Sequence, residues 1–230
     1  MSIRFVLPHP TMARTPSSAP EPVRVPNDTR QRIIEAALDL YADGGQRGTG
    51  LVAIGERVGI SHNAVLYHFG SARNLLFEVL QERQRRVAEE LGPVWTGTPT
   101  EVIAGLPAIA RLNVAKPGLA KLFTVVQAEN LEPDAPFHDW FVEVRRATRR
   151  SLRAVVRKGV RTGEFRADVD AGQVADEILA FIAGAEVHQF LDPDTVDLVK
   201  LYKGFTAALL ARIVVRANGG RARTPGGARG

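Results

Sequence analysis

The sequence predicts an all-α protein, a compact three-helix N-terminal unit followed by a longer helical one, on three observations. Apolar residues recur at three- and four-residue spacing through most of the chain, with no sustained strand-type alternation. Two short helical patterns, residues 51–58 and 62–69, flank Gly59, Ile60 and Ser61, residue types suited to a tight turn. Beyond them, Pro, Gly and acidic caps punctuate the chain at helical lengths.

Composition bounds the function. A chain of 230 residues, 45% apolar, can bury one or two cores. It has no cysteine, which removes disulfides, thiolate metal sites and cysteine nucleophiles together and fits a reducing, cytoplasmic setting. The formal charge of +5 modestly favours polyanionic partners. Residues 1–26 are rich in Pro, Ser and Ala and carry no apolar run long enough for a signal core or a membrane span; they read as a disordered arm. Arg4, Arg14 and Arg24 are its cations, and Met12 offers an alternative start to Met1. Residues 217–230 read as a disordered basic tail.

The first helix is expected from Asn27-Asp28, where Asp28 caps and Gln31 follows three residues on, to about Asp43, with Gly44-Gly45 as its stop. Ile33, Ile34, Ala37, Leu38 and Tyr41 form its packing stripe. The free amides at its start suit a phosphate oxygen, with Thr29 and Arg30 beside them.

Ile54 and Val58 give the second helix its inner seam, while Gly55 within it implies a close approach by a neighbour. Gly59 suits a left-handed C-cap, and the Ser61 hydroxyl can accept from the amides that open the third helix. On that helix Val65 and Phe69 face inward at 100° per residue, which places Asn63 and Tyr67 nearly opposite, with His62, Ala64 and Leu66 at the flanks. Such a face can read DNA. Asn pairs with adenine, Ala and Leu meet thymine methyls, and Tyr and His reach base edges or phosphates. Residues 27–76 are therefore expected to be a helix-turn-helix DNA-binding domain.

Residues 28–76 resemble the DNA-binding domain of the TetR family of transcriptional regulators. The matching set is Thr49, Ile54, Val58-Gly59-Ile60-Ser61, His68-Phe69, Ser71 and Leu75-Leu76. Two positions depart from the pattern. Leu66 stands where the family usually has Tyr, with Tyr67 next, and Ala72 replaces the usual phosphate-binding Lys, with Arg73 beside it. Arg73 and His68 are the substitutes for that lysine.

Ser71 caps a fourth helix expected to reach Leu91. Thr98, Pro99 and Glu101 start another, which Pro107 should bend and Lys116-Pro117-Gly118 should separate from the next. A long helix over 137–162 carries Phe141, Val144, Thr148, Leu152 and Val155 inward; its many arginines read as a solvated, ion-paired face rather than a second nucleic-acid site. Two final helices, about 170–192 and 194–216, have more apolar surface than one stripe needs. In TetR-like proteins the last helices build a dimer interface, a role the resemblance assigns here to Phe181, Ala185, His188, Leu201, Phe205 and Leu209.

Phe123, Gln127, Trp140, Phe141 and Phe181 suggest a pocket for a small hydrophobic or aromatic effector, with ordinary core filling the alternative. Residues 77–216 thus read as a helical regulatory and dimerisation domain, ligand-binding in the family's manner. The resemblance implies a ligand-responsive repressor. As a homodimer it would meet a near-palindromic double-stranded DNA operator. Activation by the same fold is the alternative, with a helical adaptor or an enzyme behind it. For an enzyme, the five histidines lack metal-ligand spacing, and there is neither a phosphate-cradling glycine loop nor a nucleophile elbow. No cofactor or metal and no membrane partner is expected.

Overall fold

A computed structural model describes residues 27–215; the expected arm over 1–26, its arginines, the Met12 start and the tail over 217–230 lie outside them. Ten α-helices make up the described chain, joined by a short 3-10 turn, Gly92–Thr96, and one antiparallel bridge between Phe165 and Val214. The helices are α1 (Asn27–Gly48), α2 (Leu51–Val58), α3 (His62–Phe69), α4 (Ala72–Leu91), α5 (Pro99–Ala104), α6 (Pro107–Ala115), α7 (Pro117–Ala128), α8 (His138–Thr162), α9 (Ala171–Leu191) and α10 (Leu198–Ile213). Among the described residues none is long and apolar enough to cross a membrane.

Local chemistry accounts for most boundaries. Gly59 adopts φ 81° at the end of α2, the left-handed region that favours glycine, and its N–H returns to Glu56 and Gly55 carbonyls. Ser61 then caps α3 by accepting from Ala64 N at 3.1 Å, and Ser71 caps α4 by accepting from Asn74 N at 3.1 Å. Thr98 and Glu101 close a reciprocal capping box on α5.

Four expectations are corrected. α1 runs through Gly44-Gly45 to Gly48, because each glycine costs a helix only about 1 kcal/mol. Asp28 sits in the first turn of α1, which begins at Asn27, and not ahead of it. Pro107 separates α5 from α6 rather than bending one helix. α10 begins at Leu198, where Asp197 accepts from Lys200 N at 2.9 Å, so Asp194 belongs to a longer connection; α10 also ends at Ile213.

Two cores are buried. The first joins Ile33, Ile54, Val65 and Phe69 to Phe77, Leu122 and Trp140, and so runs without a break from the first three helices into α4, α7 and α8. The second gathers Ile103, Val156, Ile178 and Tyr202 from α5, α8, α9 and α10. α1 lies directly on α7, where a Cβ on Gly118 would stand 2.3 Å from the backbone oxygens of Tyr41 and Ala42. Three of the seven arginines of α8 are ion-paired among the described residues: Arg149 holds Asp176, and Arg146 and Arg150 share Glu143.

Candidate nucleic-acid interface and effector cleft

The packing of α2 against α3 dictates what α3 presents. Val65 is fully buried and Phe69 nearly so. On the other side Tyr67 is 63% exposed, Asn63 and His62 are exposed, and Ala64, Leu66 and His68 are half-buried at the flanks. Among the described residues the side chains of Asn63 and Tyr67 make no hydrogen bond; the Tyr67 ring meets the edge of His68, at 5.9 Å between centroids. The face is held rigid while its polar groups stay available. Arg73 is exposed at the start of α4 and has no ion-pair partner among the described residues. Ser61 spends its hydroxyl on the cap, and Thr49 is half-buried.

Gly55 closes this unit. A Cβ there would stand 2.6 Å from the Ile60 carbonyl oxygen, so the close neighbour is the turn itself rather than another helix. Thr29 is half-buried at the start of α1. Arg30 is engaged within the protein: it pairs with Glu78 of α4 and lies over the Phe69 ring, 4.7 Å from its centroid. Two positions escaped the sequence reading. Arg32 donates to Val58 O at 3.1 Å, and Asn74 donates to Phe69 O at 2.9 Å. Each ties off a helix end that the motif residues leave open, and Asn74, three after a capping serine, was the more findable.

The five residues expected at a pocket do not converge. Phe123, Trp140 and Phe141 pack edge-to-face at 4.8–6.2 Å between centroids, in the first core. Phe181 is half-buried and packs against the second, stacked on Phe205 at 3.9 Å. Only Gln127 and Phe141 line a cleft of about 380 Å³ between α7, α8 and α9. Its polar groups include Thr124, Arg145 and Glu186, and Arg145 donates to Gln127 Oε1 at 2.8 Å. Glu186 accepts from Asn113 of α6 at 2.8 Å and from Thr124 of α7 at 3.2 Å. Burial pushes its carboxyl above the ordinary range despite the opposing charges of Arg83 and Arg145. Burial likewise lowers Arg83 to about 10, and lowers Arg145.

Of the residues expected at a dimer face, Phe181, His188, Leu201 and Phe205 lie at least partly open on α9 and α10. Ala185 and Leu209 turn inward instead, 5% and 3% exposed, because the second core claims that side of each helix. Among the described residues no group of three His, Asp or Glu could hold a metal ion, and His138 Nδ1 lies 3.2 Å from Asn130 O.

Comparison with known proteins finds two matched segments. Residues 33–79 match the family described as bacterial regulatory proteins, tetR family, and residues 122–203 match the tetracyclin repressor-like C-terminal domain; the two take in more than half of the chain. The HTH-type transcriptional regulator SrpR of Pseudomonas putida is 26% identical over 146 residues, 62% of this chain and 66% of that protein, just under two thirds of its length. The HTH-type transcriptional repressor KstR2 of Mycolicibacterium smegmatis is 25% identical over 164 residues, 68% of this chain and 77% of that one. A transcriptional regulator from Saccharomonospora viridis, solved in complex with choline, superposes with a TM-score of 0.69 at 21% identity over 82% of this chain and 99% of that one; it shares the fold.

Proposed function

We propose that this chain, which belongs to the TetR family of bacterial transcriptional regulators, is a ligand-responsive repressor that grips a near-palindromic operator as a homodimer. The observation that carries this reading is the outer face of α3, where the side chains of Asn63 and Tyr67 stand exposed without internal hydrogen-bond partners on a helix capped at both ends. In this reading Asn63, Tyr67 and their flanks His62, Ala64 and Leu66 meet base edges. His68, Arg73, Thr49, Thr29 and the amides opening α1 and α3 meet phosphates. Arg30 serves mainly to hold α1 against α3 and α4.

Pairing is supported by the outward sides of α9 and α10, where Phe181 and Phe205 stack into one apolar ridge beside Leu201, which is 37% exposed. A two-fold pair sets two copies of α3 about 34–36 Å apart, or a multiple of that. The cleft lies between the pairing helix α9 and the helix α7 that carries α1, so an occupant can bias the separation of the two reading heads. A reporter driven from the bound operator in a cell carrying this chain tests the sign: repression relieved by a cleft ligand is the expected result, and transcription that rises with the protein alone contradicts it. Affinity for the operator should also fall steeply with salt, as for any reader making several phosphate contacts.

A further inference from the structure

We propose that the α7–α8–α9 cleft takes an amphipathic carboxylate, a molecule with one anionic head and an apolar body, whose head is bound by Arg145. The inference rests on the reading of this cleft as an effector site and adds the charge of the effector.

Counting charge around Glu186 leads to this choice. Glu186 is one carboxylate shared between two half-buried cations, Arg83 on the α4 side and Arg145 on the cleft side, and its charge acts on both without an ion-pair contact to either. Its oxygens are already occupied by Asn113 and Thr124. Arg83 is the more deeply enclosed, its guanidinium 4.5 Å above the Phe123 ring and its Nε without a hydrogen-bond partner. A single carboxylate that offsets Arg83 leaves Arg145 uncompensated. Arg145 has only the neutral oxygen of Gln127 as a hydrogen-bond partner, in a cleft where apolar Leu131, Phe141, Val142 and Val187 alternate with Thr124, Asn130, His138 and the already hydrogen-bonded Glu186.

A cationic occupant would add a third positive charge to this group, and a neutral one would leave Arg145 as it is. A carboxylate supplies the missing charge and can take both outer N–H groups of a guanidinium in a forked pair. Phe141, Val142, Leu131 and Val187 would cover the apolar body. A cleft of about 380 Å³ suits a chain of about ten carbons.

The probes are decanoate, decan-1-ol and decyltrimethylammonium, titrated calorimetrically into the full-length chain below their micellar concentrations. Decanoate should bind at least about tenfold more tightly than the alcohol, and the quaternary amine more weakly than either. Arg145→Met should remove the preference for decanoate while sparing the alcohol, and Arg145→Lys should restore part of it. Arg145 is half-exposed, and an unchanged melting temperature of the free variants shows that the fold survives. Equal binding of acid and alcohol, or preference for the amine, overturns the charge assignment and leaves the effector cleft standing. If none of the three binds while the chain still holds DNA, the carboxylate proposal fails, and the effector reading is then decided by the reporter alone.

Discussion

Asn113 of α6 donates a 2.8 Å hydrogen bond to Glu186 of α9, and Thr124 of α7 donates a second to the same carboxyl. Three helices, α6, α7 and α9, therefore meet at one acid whose pKa burial raises above its ordinary 4.5. An acid raised in this way binds more protons folded than unfolded, so it lowers stability as pH rises from 4.5 through the raised value. Glu186→Gln removes that titration. The variant should lie close to wild type in acid and gain stability relative to it as pH approaches neutrality, read by thermal unfolding at several pH values. A wild-type advantage that grows with pH would mean that attraction to Arg83 and Arg145 outweighs burial.

Gly55 is the tightest point of the reading head. A methyl there would stand 2.6 Å from the Ile60 carbonyl, a backbone atom fixed by the α2–α3 turn. Gly55→Ala should cost about 1–3 kcal/mol and weaken binding to every DNA sequence alike. Gly184→Ala is the matched control, a glycine inside α9 with nothing within 4 Å of its Cβ position. Chemical denaturation of both variants checks the contrast, and equal stability would show that the turn yields.

The same logic applies where the head sits on the body. A Cβ on Gly118 would stand 2.3 Å from the oxygens of Tyr41 and Ala42, so Gly118→Ala must push α1 away from α7. Stability should fall by about 1–3 kcal/mol. Because the shift displaces the head, operator affinity should fall by more than the loss of folded protein explains. A destabilised variant whose folded fraction binds DNA normally would limit Gly118 to packing.

How far the sequence alone reached depended on whether the physics was local. The bounds of α2 and α3 were legible because Gly59, Ser61 and the Val65–Phe69 seam act within a few residues of each other. The end of α1 was not, since its glycines are tolerated and the helix continues to Gly48. The cleft was half-legible: Gln127 and Phe141 belong to it, but Phe181, an aromatic of the same kind, packs against the other core. Glu186 gave no signal, because its partners Asn113 and Thr124 lie 73 and 62 residues away. The inward turn of Ala185 and Leu209 was hidden for a related reason. α9 and α10 are apolar on more than one side, and a wheel cannot tell a protomer's own core from a partner's face.

For the outer face of α3, Asn63→Ala and Tyr67→Ala should each relax preference at particular base pairs. A paired contact of Asn63 with adenine is worth about 1–3 kcal/mol of discrimination. Competition between operator variants, measured at one salt concentration, separates this from phosphate contact. A uniform loss across sequences would move either residue to the backbone.

The most direct test of a paired α3 reader is selection of bound sequences from random duplex DNA by the full-length chain. The account predicts enrichment of two inverted half-sites whose centres lie one helical turn apart, about 34–36 Å, or a multiple of it. Recovery of a single unpaired site, or of no enriched sequence, would contradict it.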